Sequence, residues 1–445
     1  MPPRNGLVVL RSTVGPARLG EGLEEVEKER CMSAPPVEAN DSPTSHPDKP
    51  ADLASVRTTL EEYFPALWPA VEAGLSACAT LLLADNVNPV ALIYVGPPSA
   101  GKTTVVSMFE GATVNGQDLC YRSDKFTTAA FVSQSAKVPW QNLNKIDLLP
   151  RIKHKLLLTP ELSTIFRGKQ DELAERFSTI TRILDGQGYL TDSGTHGQRG
   201  YTGDYLFAWL GATTPFEPIV WKVMAQLGSR MFFLVLDTVA DPTVEDLVAS
   251  NLQPEARQEG VSQCRTVMHP FLDRLFTLHG GIRGVNWKPN KNDREVLTVI
   301  AQCARLLAVL RTPYEGDRAS EPESPHRANA VLYNLARGHA LISGRTQLEM
   351  EDLPTVAQVT LSSIPSRRRA VLRLMARQGG TPVTVSQVEL AANVSRHTAE
   401  ALMRELEALA LVDVQRDGVG IPALLTIKSE LAWCMGEDFR RFLLE

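Results

Sequence analysis

The sequence predicts an α/β fold built around a largely parallel sheet, followed by a helical region and a small helix-and-hairpin module. Three observations predict it. Apolar runs at Val90–Val95, Lys153–Glu161, Tyr205–Gly211 and Met231–Leu236 read as buried strands, with helical patterns between them. The first run leads straight into a glycine-rich loop and then the start of a helix. Residues 366–428 hold three helical segments and two short strands that flank a Gly-rich turn.

The chain has 445 residues, enough for about two or three domains. Its net charge is −5, so no overall basic field announces nucleic acid, and any such contact must come from local patches. The 6 cysteines are scattered singly with no CxxC pair, which reads as reduced thiols in a cytoplasmic protein rather than a disulfide or zinc framework. No apolar run is long enough to span a membrane, and Met1–Leu10 lacks the apolar core of a signal peptide.

In chain order, residues 1–50 are rich in Pro, Ser, Glu and Gly and are expected to be a disordered leader, with a short charged helix over Gly22–Arg30. From Asp52 to Asp85, Leu60, Phe64, Leu67, Trp68, Val71 and Leu75 recur at helical spacing, and Pro65 and Pro69 mark breaks or helix starts. Asn86-Val87-Asn88-Pro89 turns into the first strand. Residues 121–170 carry nine Lys/Arg against three Asp/Glu, a local basic surface. Asp171–Leu184 is helical. A Gly-rich stretch over about 187–204, containing His196, Arg199 and Tyr201, reads as a β-hairpin or mobile loop. The third strand ends at Ala212-Thr213-Thr214-Pro215, and a helix over Glu217–Leu227 leads to Ser229-Arg230 and the fourth strand, which ends at Asp237. Glu295–Leu310 and Arg327–Ser343 are amphipathic helices, with a polar loop at 316–324 between them.

The loop itself is Gly96-Pro97-Pro98-Ser99-Ala100-Gly101-Lys102-Thr103-Thr104. Strand, loop and helix in that order are the context of a phosphate-binding P-loop. Its glycines let backbone N–H groups turn inward toward phosphate oxygens, and the helix N-terminus adds partial positive charge. Lys102 would reach the β- and γ-phosphates, and Thr103 would hold Mg²⁺. Hydrolysis further needs a group to orient water and positive charge for the transition state. Glu161 ends the second strand, Thr213 and Thr214 end the third, Arg230 precedes the fourth, and Arg327 opens a helix from which it could contact phosphates as part of a lid.

The order of these motifs resembles the AAA+ ATPases, and within them the minichromosome-maintenance-type helicases. Thr213-Thr214-Pro215 falls where that family has its sensor motif, Ser229-Arg230 where it has its arginine finger, the 187–204 hairpin where it has a pore hairpin, and Arg327 where it has the sensor helix of the lid. The resemblance covers about residues 55–430. It implies ATP and Mg²⁺ as cofactors, and a homo-oligomeric ring such as a hexamer in which Arg230 acts on the adjacent subunit's nucleotide. Two departures stand out. The acid strand ends Thr159-Pro160-Glu161 rather than Asp-Glu, so Mg²⁺ would rely on Thr103 and water, helped by Thr159 or Asp124. The family's amino-terminal DNA-binding, zinc-bearing domain is expected to be absent, which favours a shorter, mobile-element relative.

The C-terminal module reads as a winged helix-turn-helix. Arg367–Arg377 is its first helix, Ser386 caps the second, and Ser395 caps the third, which runs to Leu409. That third helix exposes Arg396, His397 and Arg404, and residues 366–404 hold seven Arg against two Glu. The expected organisation is a leader at 1–50, an AAA+ core at 51–285, a helical lid at 286–360 and the winged helix at 361–445. DNA unwinding, translocation or remodelling is the expected activity, with DNA held by the winged helix and the hairpin. The alternatives are a nucleotide-gated DNA-binding regulator with slow hydrolysis, or an ATPase that remodels a protein partner.

Overall fold

Alternation within the apolar runs decides how the sheet is covered. The computed structural model describes residues 52–133, 140–194, 197–228, 230–236, 243–252, 255–315, 318–416, 423–437 and 440. The expected leader at 1–50, and also His196, Ser229, Asp237, residues 316–317 and the turn at 417–420, lie outside them. Pro50–Glu445 forms one unit, distinct from Met1–Lys49.

Five strands make the central sheet: β1 Val90–Val95, β2 Cys120–Arg122, β3 Leu156–Thr159, β6 Ala208–Thr213 and β7 Met231–Val235. Two further strands, β4 Gly188–Ser193 and β5 Gly197–Thr202, form a separate antiparallel hairpin between β3 and β6. The sheet order is β2-β3-β6-β1-β7, and every pairing in it is parallel. All five strands therefore end at one edge. β2 is a strand that sequence reading passes over, because its three residues sit in a mixed polar stretch.

The pleat sends alternate side chains to opposite faces. On β1, Leu92 and Tyr94 join one buried cluster, and Ala91, Ile93 and Val95 join the other. The second face is covered by α4, Gln170–Ile183, through Leu173, Phe177, Ile180 and Ile183, and by α5, Pro218–Leu227, through Val220, Val223 and Met224. The first face is covered by α2 (Trp68–Ala79), which follows α1 (Leu53–Tyr63), and by α3 (Lys102–Met108) and α6 (Ala256–Leu278). Pro65 and Pro69 stand at helix starts, where their missing N–H costs nothing.

The helical region is α7 (Arg294–Arg311), α8 (His326–Ile342) and α9 (Leu353–Ser362). α8 lies so close to α2 that a Cβ on Gly338 would come within 2.0 Å of the Ser76 carbonyl oxygen. The end of α9 closes the edge of the sheet. Phe233 N–H donates to Ser363 Oγ at 2.8 Å, and the buried Arg311 donates to the Met231 and Ser363 carbonyls. An edge strand with its polar groups satisfied in this way offers no template for another chain.

At the C-terminus, α10 (Ser366–Arg377), α11 (Val385–Ala392) and α12 (Arg396–Ala408) pack with an antiparallel sheet of order β8-β10-β9, where β8 is Val383–Thr384, β9 Val412–Gln415 and β10 Leu424–Ile427. Ser386 does not cap α11. Thr384 does, its Oγ1 accepting from Gln387 N–H while the Gln387 side chain reaches back to Thr384 N–H at 2.8 Å. Ser395 caps α12, and Asn393 takes the left-handed conformation at the turn between the two helices. Ala399, Leu402, Met403, Leu406 and Leu409 are buried, and Arg396, His397 and Arg404 are exposed.

Candidate functional site

The loop after β1 curls because Ser99 and Gly101 both have positive φ, at 67° and 81°. Neither glycine of the motif has room for a side chain. A Cβ on Gly96 would meet the Leu236 carbonyl at 2.5 Å, and one on Gly101 would meet Leu67 at 2.7 Å. Gly101 is also the N-cap of α3, so the helix amides of Lys102, Thr103 and Thr104 begin where the loop ends. The loop segment Pro97-Pro98-Ser99-Ala100 arches between the two glycines, with Ala100 N–H donating back to the Pro97 carbonyl.

Lys102 is buried, and its ammonium donates to the carbonyls of Gly96 at 2.8 Å and Pro97 at 2.5 Å. That leaves a third N–H for an anion. Burial pushes the ammonium below its ordinary value, and the Glu161 carboxylate pulls it back up. Loop lysine and strand-end acid therefore lie within electrostatic reach of one another. Thr103 is exposed, and Thr104 is buried with its hydroxyl accepting from Arg257 at 2.5 Å.

The sheet order explains the remaining convergence. β6 lies between β1 and β3, with Val95 opposite Thr213 and Thr159 opposite Gly211. Thr213 thus stands between the loop and the strand that delivers Glu161. Gly96 N–H donates to the Thr213 carbonyl at 3.3 Å, and Thr213 Oγ1 donates to the Thr214 carbonyl at 3.0 Å. A pocket of about 390 Å³ opens beyond Thr213, lined by Ser163, Arg167, Thr214 and Glu217 among others but by neither Lys102 nor Glu161. Glu161 is exposed, and one of its oxygens accepts from Ser163 N–H at 2.7 Å. Ligands of open parallel sheets sit at this carboxyl edge.

Thr159 takes no part. Its buried hydroxyl accepts from the Trp209 indole at 2.9 Å and faces the core. Asp124 is paired with Arg122, which is also bidentate to Glu110. Thr159 is thus turned away from the edge and Asp124 is held in an ion pair, so a Mg²⁺ ion would rest chiefly on Thr103 and water. Among the described residues, no cluster of three or more His, Cys, Asp or Glu side chains could hold a metal.

Arg230 and Arg327 do not join this group. Arg230 precedes β7, and Arg327 bonds Asn88, which precedes β1, so both sit at the amino edge of the sheet. The six residues of β1 put the two edges about 17 Å apart. There the two arginines meet on one oxygen of Asp185, Arg230 at 3.0 Å and Arg327 at 2.6 Å. The hairpin leaves the body at the same edge. Tyr201 ties it down through Asp147, at 2.8 Å, and Arg199 bonds the Ser133 carbonyl.

Sequence reading missed a brace behind the loop helix. Besides Arg257 on Thr104, Arg265 donates to the Ser107 carbonyl at 2.6 and 2.9 Å, and His269 lies 3.0 Å from the Met108 carbonyl. α6 thereby satisfies the C-terminal carbonyls of the short α3. These residues carry no motif, since nothing near them in sequence marks which helix they will meet. The basic surface is likewise reshaped by packing. Arg368 is buried, bonded to Glu405 at 2.6 Å and to the Leu310 and Thr312 carbonyls, and so is withdrawn from the exposed arginines of α10.

Among the described residues, no helix is long and apolar enough to cross a membrane. No protein-family model matches this chain, and no curated protein matches it.

Proposed function

We propose that this chain is a P-loop ATPase of the AAA+ type, nearest the minichromosome-maintenance-like branch, which couples ATP binding and hydrolysis to work on DNA as a homo-oligomeric ring such as a hexamer. The observation that carries the reading is the meeting of three separately coded groups at one sheet edge: Lys102 on the loop, Thr213 on the adjoining strand, and Glu161 within electrostatic reach of Lys102. In this reading the loop amides and Lys102 bind the phosphates, Thr103 contributes to holding Mg²⁺, and Glu161 polarises the attacking water, with Thr213 and Thr214 assisting. Mg²⁺, when bound, would supply positive charge that offsets the charge of the phosphates. Arg230 and Arg327 face away from their own loop, which favours their acting on the nucleotide of a neighbouring copy.

The C-terminal module is then a winged helix that presents Arg396, His397 and Arg404 to the DNA major groove. Phosphate contacts would come from the exposed Arg367 and from Arg377. The hairpin between β4 and β5 would be the moving element. The test is steady-state ATP hydrolysis with no nucleic acid and with single- or double-stranded DNA, beside Glu161→Gln. Several-fold stimulation by DNA, abolished in the variant, is expected. Slow hydrolysis that ignores DNA would refute the coupled motor. One observation favours a nucleotide-gated DNA-binding regulator instead: Glu161 has Pro160 rather than a second acid before it, and one of its oxygens is already committed to Ser163. In the remaining alternative the winged helix docks a protein partner that the ATPase remodels.

A further inference from the structure

Asp185 is a residue that no motif singles out. Its Oδ1 accepts from Arg230 Nε at 3.0 Å and Arg327 Nη2 at 2.6 Å, and its Oδ2 accepts from Arg182 Nη1 at 3.1 Å. Three guanidinium groups thus share one carboxylate, and Arg230 Nη1 donates further to the Leu227 and Gly228 carbonyls at 3.2 and 2.6 Å, with the Glu323 carboxylate near Gly228. The Asp185 side chain is only 16 % exposed, and Asn88 supplies Arg327 with a further acceptor at 3.2 Å. Arg327 is pushed below its ordinary value, first by burial and then by Arg230 beside it. Two like charges are thus held together in a half-buried place by an anion that both bond, Asp185. Such a place favours a second anion, above all one whose oxygens can accept from both forks.

Asp185 also holds a position in the chain that its partners do not. It follows α4 and immediately precedes Gly186, with φ 73°, and Gly188, with φ 84°, which open the hairpin. A Cβ on Gly186 would meet the Val87 carbonyl at 2.5 Å, so this turn is seated against the chain entering β1. The other foot of the hairpin is Asp204, held by His154 at 2.9 Å and Arg283 at 2.7 Å. Both feet are therefore seated on the body, and the Asp185 foot alone is also bonded by the arginine pair.

We infer that Asp185 is a positioning residue that links the arginine pair to the hairpin. It aligns Arg230 and Arg327 for a nucleotide phosphate on a neighbouring copy, and when that phosphate draws the two guanidinium groups outward, the change passes through Asp185 into β4. The inference rests on the proposed oligomeric ATPase.

The experiment is hydrogen exchange of residues 188–202 in the full chain, with and without a non-hydrolysable ATP analogue, in the parent protein, Asp185→Asn and Arg327→Gln. A several-fold change in hairpin exchange is expected in the parent and in neither variant. Arg327→Gln tests the arginine end of the link, and if Asp185→Asn fails to fold, Asp185→Glu, which keeps the charge but displaces it by one methylene, is measured in its place. A separate arm tests the underlying reading by co-expressing Lys102→Ala with Arg230→Ala subunits. Each is inactive alone, and random mixing rebuilds about one quarter of head-to-tail interfaces, with hydrolysis returning accordingly. Should hydrolysis return while both variants still transmit nucleotide to the hairpin, the role of Asp185 is wrong and the oligomeric reading stands. Should the mixture stay inactive, the oligomeric reading fails and takes the inference with it.

Discussion

Raising the pH should loosen α8 from α2 through a single buried histidine. His339 lies on α8 with its side chain 8 % exposed. Its Nδ1 is 2.7 Å from Asp352, and its Nε2 is 3.5 Å from Glu72 on α2. A neutral imidazole keeps only one N–H, so one ring nitrogen would then turn a lone pair toward a carboxylate. Burial alone would lower the pKa, but the bonds to Asp352 and Glu72 overcome it and raise the value from 6.5 to about 9. A pKa raised on folding stabilises the folded state fully below the unfolded value, and that contribution disappears as the pH climbs through the folded value. At 1.36 kcal/mol per unit, the difference is about 3 kcal/mol, present in full below pH 6.5 and lost through pH 9. The measurement is urea unfolding at pH 6.5, 8 and 10 for the parent protein and for His339→Gln, which keeps a donor but carries no charge. The parent should converge on the variant as the pH rises, because the variant lacks the charge at every pH. A constant gap between the two from pH 6.5 to 10 would refute the argument, since other groups titrate equally in both.

Three further outcomes follow from the geometry. Gly338→Ala places a Cβ against the Ser76 carbonyl and forces α8 and α2 apart, costing about 1–3 kcal/mol, which a lowered urea midpoint would register. Arg368→Met strands Glu405 and should destabilise the fold by about 3–5 kcal/mol, whereas Arg396→Ala, on the exposed face of α12, should leave the midpoint alone and reduce the salt slope of DNA binding by about 1. Equal effects of the two on stability would contradict the burial difference. Thr159→Val leaves the Trp209 indole N–H unpaired and should cost about 1–3 kcal/mol of stability without changing the Mg²⁺ dependence of hydrolysis; a shifted Mg²⁺ requirement would return Thr159 to the site.

What could be read from residue order was whatever depends on local rules. Gly101 announces a curled loop because few other residues tolerate its left-handed backbone, and the apolar runs announce strands because a short apolar run bounded by turn residues matches a strand covered on both faces. Ser395 and Asn393 mark the turn before α12 for the same local reason. Thr384 displaced Ser386 as a cap by forming a reciprocal pair with Gln387, and β2 was invisible because three residues carry too little pattern. The destinations of charged side chains were decided only by the tertiary structure. Arg327 and Asp185 are 142 residues apart, Arg368 could have faced solvent or Glu405, and Thr159 could have faced a metal or Trp209. Spacing along a strand or helix specifies a face, but what covers that face is settled by elements far away in the chain. Sequence therefore marked the glycine-rich loop with the strand before it and the helix after it. Only the folded sheet showed that Thr213 bonds the loop at Gly96 and that Glu161 lies within electrostatic reach of Lys102, while the two arginines stand together at the opposite edge.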